Sequence, residues 1–227
     1  MLRRAREARL TFSLLARDPE TGAIGGAAAT GNLCVGGWVL RGEARAGLSA
    51  AQGRLPSTLW GEDALALMAG GLAPDEAVAR VTGADPGRAD RQLALIAPDG
   101  RVAGFDGADN HPVTGHLAED GLIVAGNWLS ARAVIEDAAA AFRRGDGPFE
   151  DRLLAALRAG VAAGSDSRGT LSAALLVVAA DRPPLSLRVD LDDRPLERLA
   201  DLLARTRAPD YAAWVASLPT RHRPEGA

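Results

Sequence analysis

Polar and apolar positions alternate over Leu10 to Arg17, and the chain therefore opens on a strand. The alternation puts Thr11 and Ser13 on one face and Phe12 and Leu14 on the other. Asp18-Pro19-Glu20-Thr21-Gly22 has the residue order of a turn. Ala23 to Thr30 then reads as the second strand of a hairpin, and its small residues suit close backbone approach on both sides. Val35 to Leu40 and Arg45 to Ala51 are further expected strands. Helical periodicity follows over Thr58 to Ala69 and over Pro74 to Val81, the latter with proline in its first turn. Gln92 to Ala97 and Arg101 to Phe105 flank Pro98-Asp99-Gly100 as a second hairpin.

Leu122 to Ala125 predicts a short buried strand ending at Gly126-Asn127, with Ser130 as N-cap of a helix over Ala131 to Arg144. Phe149 to Ala163 places Leu153, Leu154, Leu157 and Val161 on one helical face. Ser172 to Ala179 and Leu185 to Leu191 are expected strands, and Pro195 to Arg207 and Asp210 to Ser217 expected helices. Helices thus come in consecutive pairs rather than singly between strands. That order argues against a doubly wound parallel sheet and for an α/β (α+β) fold of mainly antiparallel sheets covered by helices. Residues 1–10 are expected to be a disordered extension, 11–219 one domain, and 220–227 a mobile tail.

Composition narrows the function classes. The 227 residues are 47% hydrophobic, enough to bury a substantial core. The net charge is −3 and no basic block occurs, so a nucleic-acid partner is not expected. All 26 cationic residues are arginine, which excludes any lysine chemistry, phosphate-loop lysines included. A single cysteine, Cys34, permits no internal disulfide and suits a reducing, cytoplasmic compartment. The apolar run Leu10 to Ala16 is too short and too polar for a secretion signal, and no run approaches the ~20 apolar residues of a membrane span.

Dinucleotide, serine-hydrolase and zinc-protease signatures are absent. His111 and His116, near Asp106 and Asp109, lack regular ligand spacing and read as a polar loop; no metal or cofactor is called for. Cys34 reads as a small buried residue with no neighbouring histidine to activate it. Periodicity alone makes Thr11 an ordinary strand former, Gly126-Asn127 a strand-to-helix turn and Gly164 to Gly169 a polar loop.

A resemblance alters that reading. Thr11 to Gly22, Ala50-Ala51-Gln52, Arg91-Gln92-Leu93, Val124 to Leu129, and Asp166-Ser167-Arg168-Gly169 followed by Ser172 to Val178 resemble the bacterial domain-of-unknown-function family numbered 1028. The similarity runs from about Thr11 to Leu203. It implies the four-layer αββα sandwich of the N-terminal-nucleophile (Ntn) hydrolases. Thr11 at the head of the first strand and Asp166-Ser167 before an apolar strand resemble proteasome β-subunits. The lysine of those sites has no counterpart here, and the acidic residue of their second strand is replaced within Ala27 to Thr30.

The resemblance implies a nucleophilic Thr11 hydroxyl whose own α-amino group, with a pKa near ~8, accepts its proton. Asn127 is then the expected oxyanion donor and Asp166 the residue that orients the amino group. Arg91 and Arg168 are candidates to grip a substrate carboxylate, and Asn32, Gln52 and Gln92 to bind amide edges. The expected function is hydrolysis of a small amide or peptide; the alternative is a non-catalytic ligand-binding protein on the same fold. The mechanism requires a free amino group on Thr11. Either self-cleavage at Leu10-Thr11 or translation from the codon read as Leu10 would supply it, and the unpatterned Met1 to Arg9 favours the second. A two-fold homodimer is expected, with Trp38, Trp60, Trp128 and Trp214 as candidate anchors.

Overall fold

The computed structural model describes residues 10–164 and 169–226. β1 (Thr11–Arg17) and β2 (Ile24–Thr30) form the opening antiparallel hairpin. Its turn is held by the Asp18 carboxylate, which accepts from the Thr21 hydroxyl at 2.6 Å, and Gly22 supplies the left-handed φ of 71°.

The stretch expected as a third strand is instead a single helical turn, α1 (Val35–Trp38), followed by β3 (Leu40–Glu43). Gly36 and Gly37 are the cause. A Cβ on Gly36 would sit 2.6 Å from Ala174, and one on Gly37 2.9 Å from the Arg188 guanidinium. This turn is packed against other elements through backbone no side chain covers. β4 (Gly47–Gly53), α2 (Thr58–Ala69) and α3 (Pro74–Gly83) follow, with Ser57 accepting from the Trp60 N–H as the α2 cap. β5 (Arg91–Ile96) and β6 (Val102–Asp106) form the second hairpin.

β7 (Val113–Glu119) was not expected, and β8 (Leu122–Leu129) runs through Gly126-Asn127 instead of stopping there. α4 (Ala133–Arg144) starts later than expected. Ser130 does not cap it; its hydroxyl donates to the Gly164 carbonyl at 2.9 Å. α5 (Phe149–Gly164), β9 (Ser172–Val178), β10 (Leu185–Val189), α6 (Pro195–Arg205) and α7 (Pro209–Ser217) complete the described chain. In the tail expected to be mobile, Arg221 is ion-paired to Glu43.

The fold is mixed α+β. A six-stranded sheet has the order β10-β9-β2-β1-β8-β7, a four-stranded sheet the order β3-β4-β5-β6, and every described strand pair is antiparallel. Period-two alternation divides the core. Phe12, Leu14 and Ala16 share one buried cluster with Ile135, Leu153, Leu157 and Leu199 from α4, α5 and α6. Leu15, Ala28, Ile123, Ala125 and Ala174, of the opposite parity, share a second with Leu48, Ala50, Ala94 and Ile96 of the smaller sheet. Leu93 and Leu95 pack with Trp60, Ala64 and Val78 of α2 and α3 in a third.

Close approach explains the glycines of β2. A Cβ on Gly25 would lie 2.5 Å from Leu153 Cδ1 and 2.7 Å from Phe149 Cε1. Gly25→Ala is therefore expected to lower stability by about 1–3 kcal/mol through overpacking, read as a lower urea midpoint with unchanged m.

Of the four tryptophans, Trp60 is buried and Trp38 and Trp214 are largely exposed. No described residue of α7 is buried. Among the described residues no helix is long and apolar enough to cross a membrane.

Candidate functional site

Register places four polar side chains in one row. Ser172 pairs with Thr30, Thr30 with Thr11, and Thr11 with Asn127, across β9, β2, β1 and β8. Each shares its strand face with a residue of the cluster between the two sheets: Ala174, Ala28, Leu15 and Ala125. The row therefore looks toward the smaller sheet. β8 keeps Asn127 on that face while sending Leu129 to the helix side, although both are odd-numbered. The break in alternation sits at Trp128, a non-glycine residue with φ of 56°, where the β7–β8 register shifts.

The smaller sheet answers with its own polar row. Gln52 pairs with Gln92 and Gln92 with Asp106 across β4, β5 and β6. Gln92 is fully buried and joins the two rows. Its Oε1 accepts from Gln52 Nε2 at 2.7 Å and from Asn127 Nδ2 at 3.1 Å. Its Nε2 donates to Asp106 Oδ1 at 2.6 Å and to the carbonyls of Gly126 and Gly115 at 3.0 and 3.1 Å. Both ends of the Gln92 amide are used within the protein. Gln52, equally buried, donates to the Ala125 carbonyl as well, and its Oε1 has no partner among the described residues.

Thr11 Oγ1 and Thr30 Oγ1 lie 2.8 Å apart. The Thr30 hydroxyl donates to the Leu10 carbonyl at 3.0 Å, so its single hydrogen is committed and Thr11 is the donor of the shared bond. Thr30 Oγ1 also accepts from the Asn32 N–H at 3.3 Å. Asn32 itself is exposed, two residues beyond the row.

Arg91 is not brought to this face. It has the parity of Leu93, its guanidinium lies 5.8 Å from the centre of the Trp60 ring, and it pairs with Asp85 at 3.1 Å. Asp166 and Arg168 lie outside the described residues.

His116 and Asp106, read from sequence as loop residues, stand on edge strands β7 and β6, with His116 Nδ1 2.8 Å from Asp106 Oδ2. Thr114 to Ala118 does not alternate between polar and apolar residues, so no strand signal was present there. The hydrogen bond to Asp106 raises the His116 pKa above its ordinary value, against opposing contributions from burial and from the Arg132 charge. Among the described residues no group of three His, Cys, Asp or Glu is placed to hold a metal ion. A cavity of about 380 Å³ lies elsewhere, between the C-terminal tail and the β9–β10 turn. Its walls include Pro183, Pro184, Pro219 and Pro224 and none of the row.

Comparison with known proteins assigns the family. Residues 11–199 match the family of unknown function DUF1028. The chain belongs to this family. It is also similar to the crystal structure of protein SPO2555 from Silicibacter pomeroyi, a DUF1028 protein, at 49% identity and a TM-score of 0.92, over 96% of this chain and 95% of that one. No protein with a curated description matched. The Thr11–Asn127 pair lies within the residues matched to DUF1028.

Proposed function

We propose that this DUF1028 protein is an N-terminal-nucleophile amidohydrolase acting on a small amide or peptide, with Thr11 as nucleophile. The two sheets and their helices are then the four-layer αββα sandwich of that class. One observation carries the reading: Thr11 and Asn127 are cross-strand partners on the face toward the second sheet, although 116 positions separate them (127 − 11). The family match also opens at Thr11.

In the proposed reaction the Thr11 hydroxyl oxygen attacks the amide carbonyl carbon and its proton passes to the Thr11 α-amino group. Asn127 Nδ2 gives one hydrogen to Gln92, and its second hydrogen is assigned to the developing oxyanion. Collapse breaks the C–N bond, the leaving amine takes the proton, and water then cleaves the Thr11 ester. In a chain beginning at Thr11 the Leu10 carbonyl is gone, and the Thr30 hydroxyl is free to bond the new amino group. Asp166 and Arg168 keep their proposed roles, orienting the amino group and holding a substrate carboxylate.

A second reading, a ligand-binding protein without turnover, is favoured by Leu10. Its side chain is buried in the helix-side core, and its carbonyl accepts from both Gly31 N–H and Thr30 Oγ1. A chain that retains Leu10 makes Thr11 an internal residue with no amino base. Intact mass and N-terminal sequencing of the protein from its native source separate the two. The amidohydrolase reading expects a product beginning Thr-Phe-Ser-Leu-Leu that releases amine from members of an amide panel. A dominant species retaining Leu10, inactive on that panel, selects the binding protein.

A further inference from the structure

The hydrogen-bond chain that ends at Asn127 begins at the open edge of the two sheets. His116 Nδ1 meets Asp106 Oδ2 at 2.8 Å, Asp106 Oδ1 accepts from Gln92 Nε2 at 2.6 Å, and Gln92 Oε1 accepts from Asn127 Nδ2 at 3.1 Å. Its direction follows from chemistry. A carboxylate and two backbone carbonyls, Gly115 and Gly126, surround Gln92 Nε2, and all three can only accept. The Gln92 amide cannot turn over, so Oε1 must face Gln52 and Asn127, and both must present N–H to it. Of the three acceptors only Asp106 is a side chain, and it is 29% exposed, as is His116. The innermost members, Gln92 and Asn127, are buried. The His116 ring is set against β6 at Gly104, where a Cβ would come within 3.0 Å of it. Facing His116 are Asp106 from β6 and Arg132 ahead of α4, whose guanidinium donates to the His116 carbonyl and pairs with Glu136; β8 presents Ala125.

We propose that Asp106 and His116 are positioning residues that set, through Gln92, how the Asn127 amide is held beside Thr11; this rests on reading Thr11 and Asn127 as the reactive row. Protonation at the exposed edge is then felt at the buried end. Chains of this kind polarise one another, and outer partners orient the groups that do chemistry.

The composition makes the test clean. The whole chain has two glutamines, Gln52 and Gln92, three asparagines, Asn32, Asn110 and Asn127, and three histidines. Side-chain amide and imidazole resonances of the ¹⁵N-labelled full-length protein are followed from about pH 8 to about pH 5, the range in which histidine titrates. The Gln92 and Asn127 NH₂ signals are expected to move with the midpoint of His116, and Asn32 is not. In Asp106→Asn the new amide must turn its oxygen to Gln92 and its NH₂ to His116. The ring then accepts at Nδ1, its midpoint falls below that of wild type, and the Asn127 signals are displaced and stop following it. In His116→Gln, whose amide still donates to Asp106, the Asn127 signals keep their wild-type position and lose their pH dependence. Asn127 signals that ignore pH in the wild type and are unchanged in Asp106→Asn overturn the proposal. Where the wild type hydrolyses an amide, Asp106→Asn is expected to lower kcat about ten-fold with KM unchanged, the pattern of a group felt in the transition state. A form beginning at Thr11 that turns over no member of the amide panel, beside Asn127 signals that still follow His116, removes the amidohydrolase reading and leaves this one standing.

Discussion

Thr11→Ala is expected to fold and to lose amide turnover by about a thousand-fold or more, the scale set by removing the nucleophile of other acyl-transfer sites. Folding survives because little of the core depends on this side chain. Thr11 is only half-buried, and its one described side-chain bond is the 2.8 Å contact with Thr30. Losing one such bond costs about 1 kcal/mol, and alanine remains compatible with a strand. Thr11→Ser keeps the oxygen and is expected to retain a measurable part of the rate. Initial rates on whichever amide the wild type cleaves, with urea denaturation of each variant, are the measurements. A Thr11→Ala protein that keeps wild-type turnover removes Thr11 from the chemistry, whatever the state of its amino group.

Gln92→Leu is expected to be the most damaging single change in the interior, lowering stability by about 4 kcal/mol or more. Leucine is close in volume, so the packing cost is small. The polar cost is not. Gln52 and Asn127 lose the acceptor their NH₂ groups share, and the Gly115 and Gly126 carbonyls lose a donor, all between two sheets. Each buried polar group left without a partner costs about 1–3 kcal/mol, and the total is a large share of the 5–15 kcal/mol that typically holds a domain together. The expected result is a large fall in the urea midpoint or a protein that does not accumulate in soluble form. A change below about 1 kcal/mol would mean that these groups find other partners and that Gln92 does not hold the two rows together.

Both predictions depend on pairings of very different visibility in the sequence. The opening hairpin was legible because everything needed to form it is local: alternation from Leu10 to Arg17, a turn with Asp18 first and Gly22 last, and a second strand of small residues. Most helices were legible for the same reason, since apolar spacing and capping residues act within a few positions. α2 keeps its expected bounds, Thr58–Ala69. The segments that misled were those whose conformation is set from outside. Val35 to Trp38 has strand-like composition but turns helical where its glycines meet Ala174 and Arg188. β7 carries glycine and mixed polarity and becomes a strand by pairing along β8.

The candidate site divides in the same way. Sequence by itself determined that Thr11 stands on the strand face opposite Phe12 and Leu14, because side-chain direction in a strand has a period of two, and it determined that lysine takes no part, because the chain has none. It could not show that Thr11 stands opposite Asn127, or that Gln52 stands opposite Gln92. Those are facts of register between strands far apart in the chain, chosen by which apolar faces are buried together. Nor could it show that Arg91 turns away to Trp60 and Asp85 while its neighbour Gln92 turns inward. Alternation requires that adjacent residues part, but only the packing of the smaller sheet against the larger decided which of the two became the buried one.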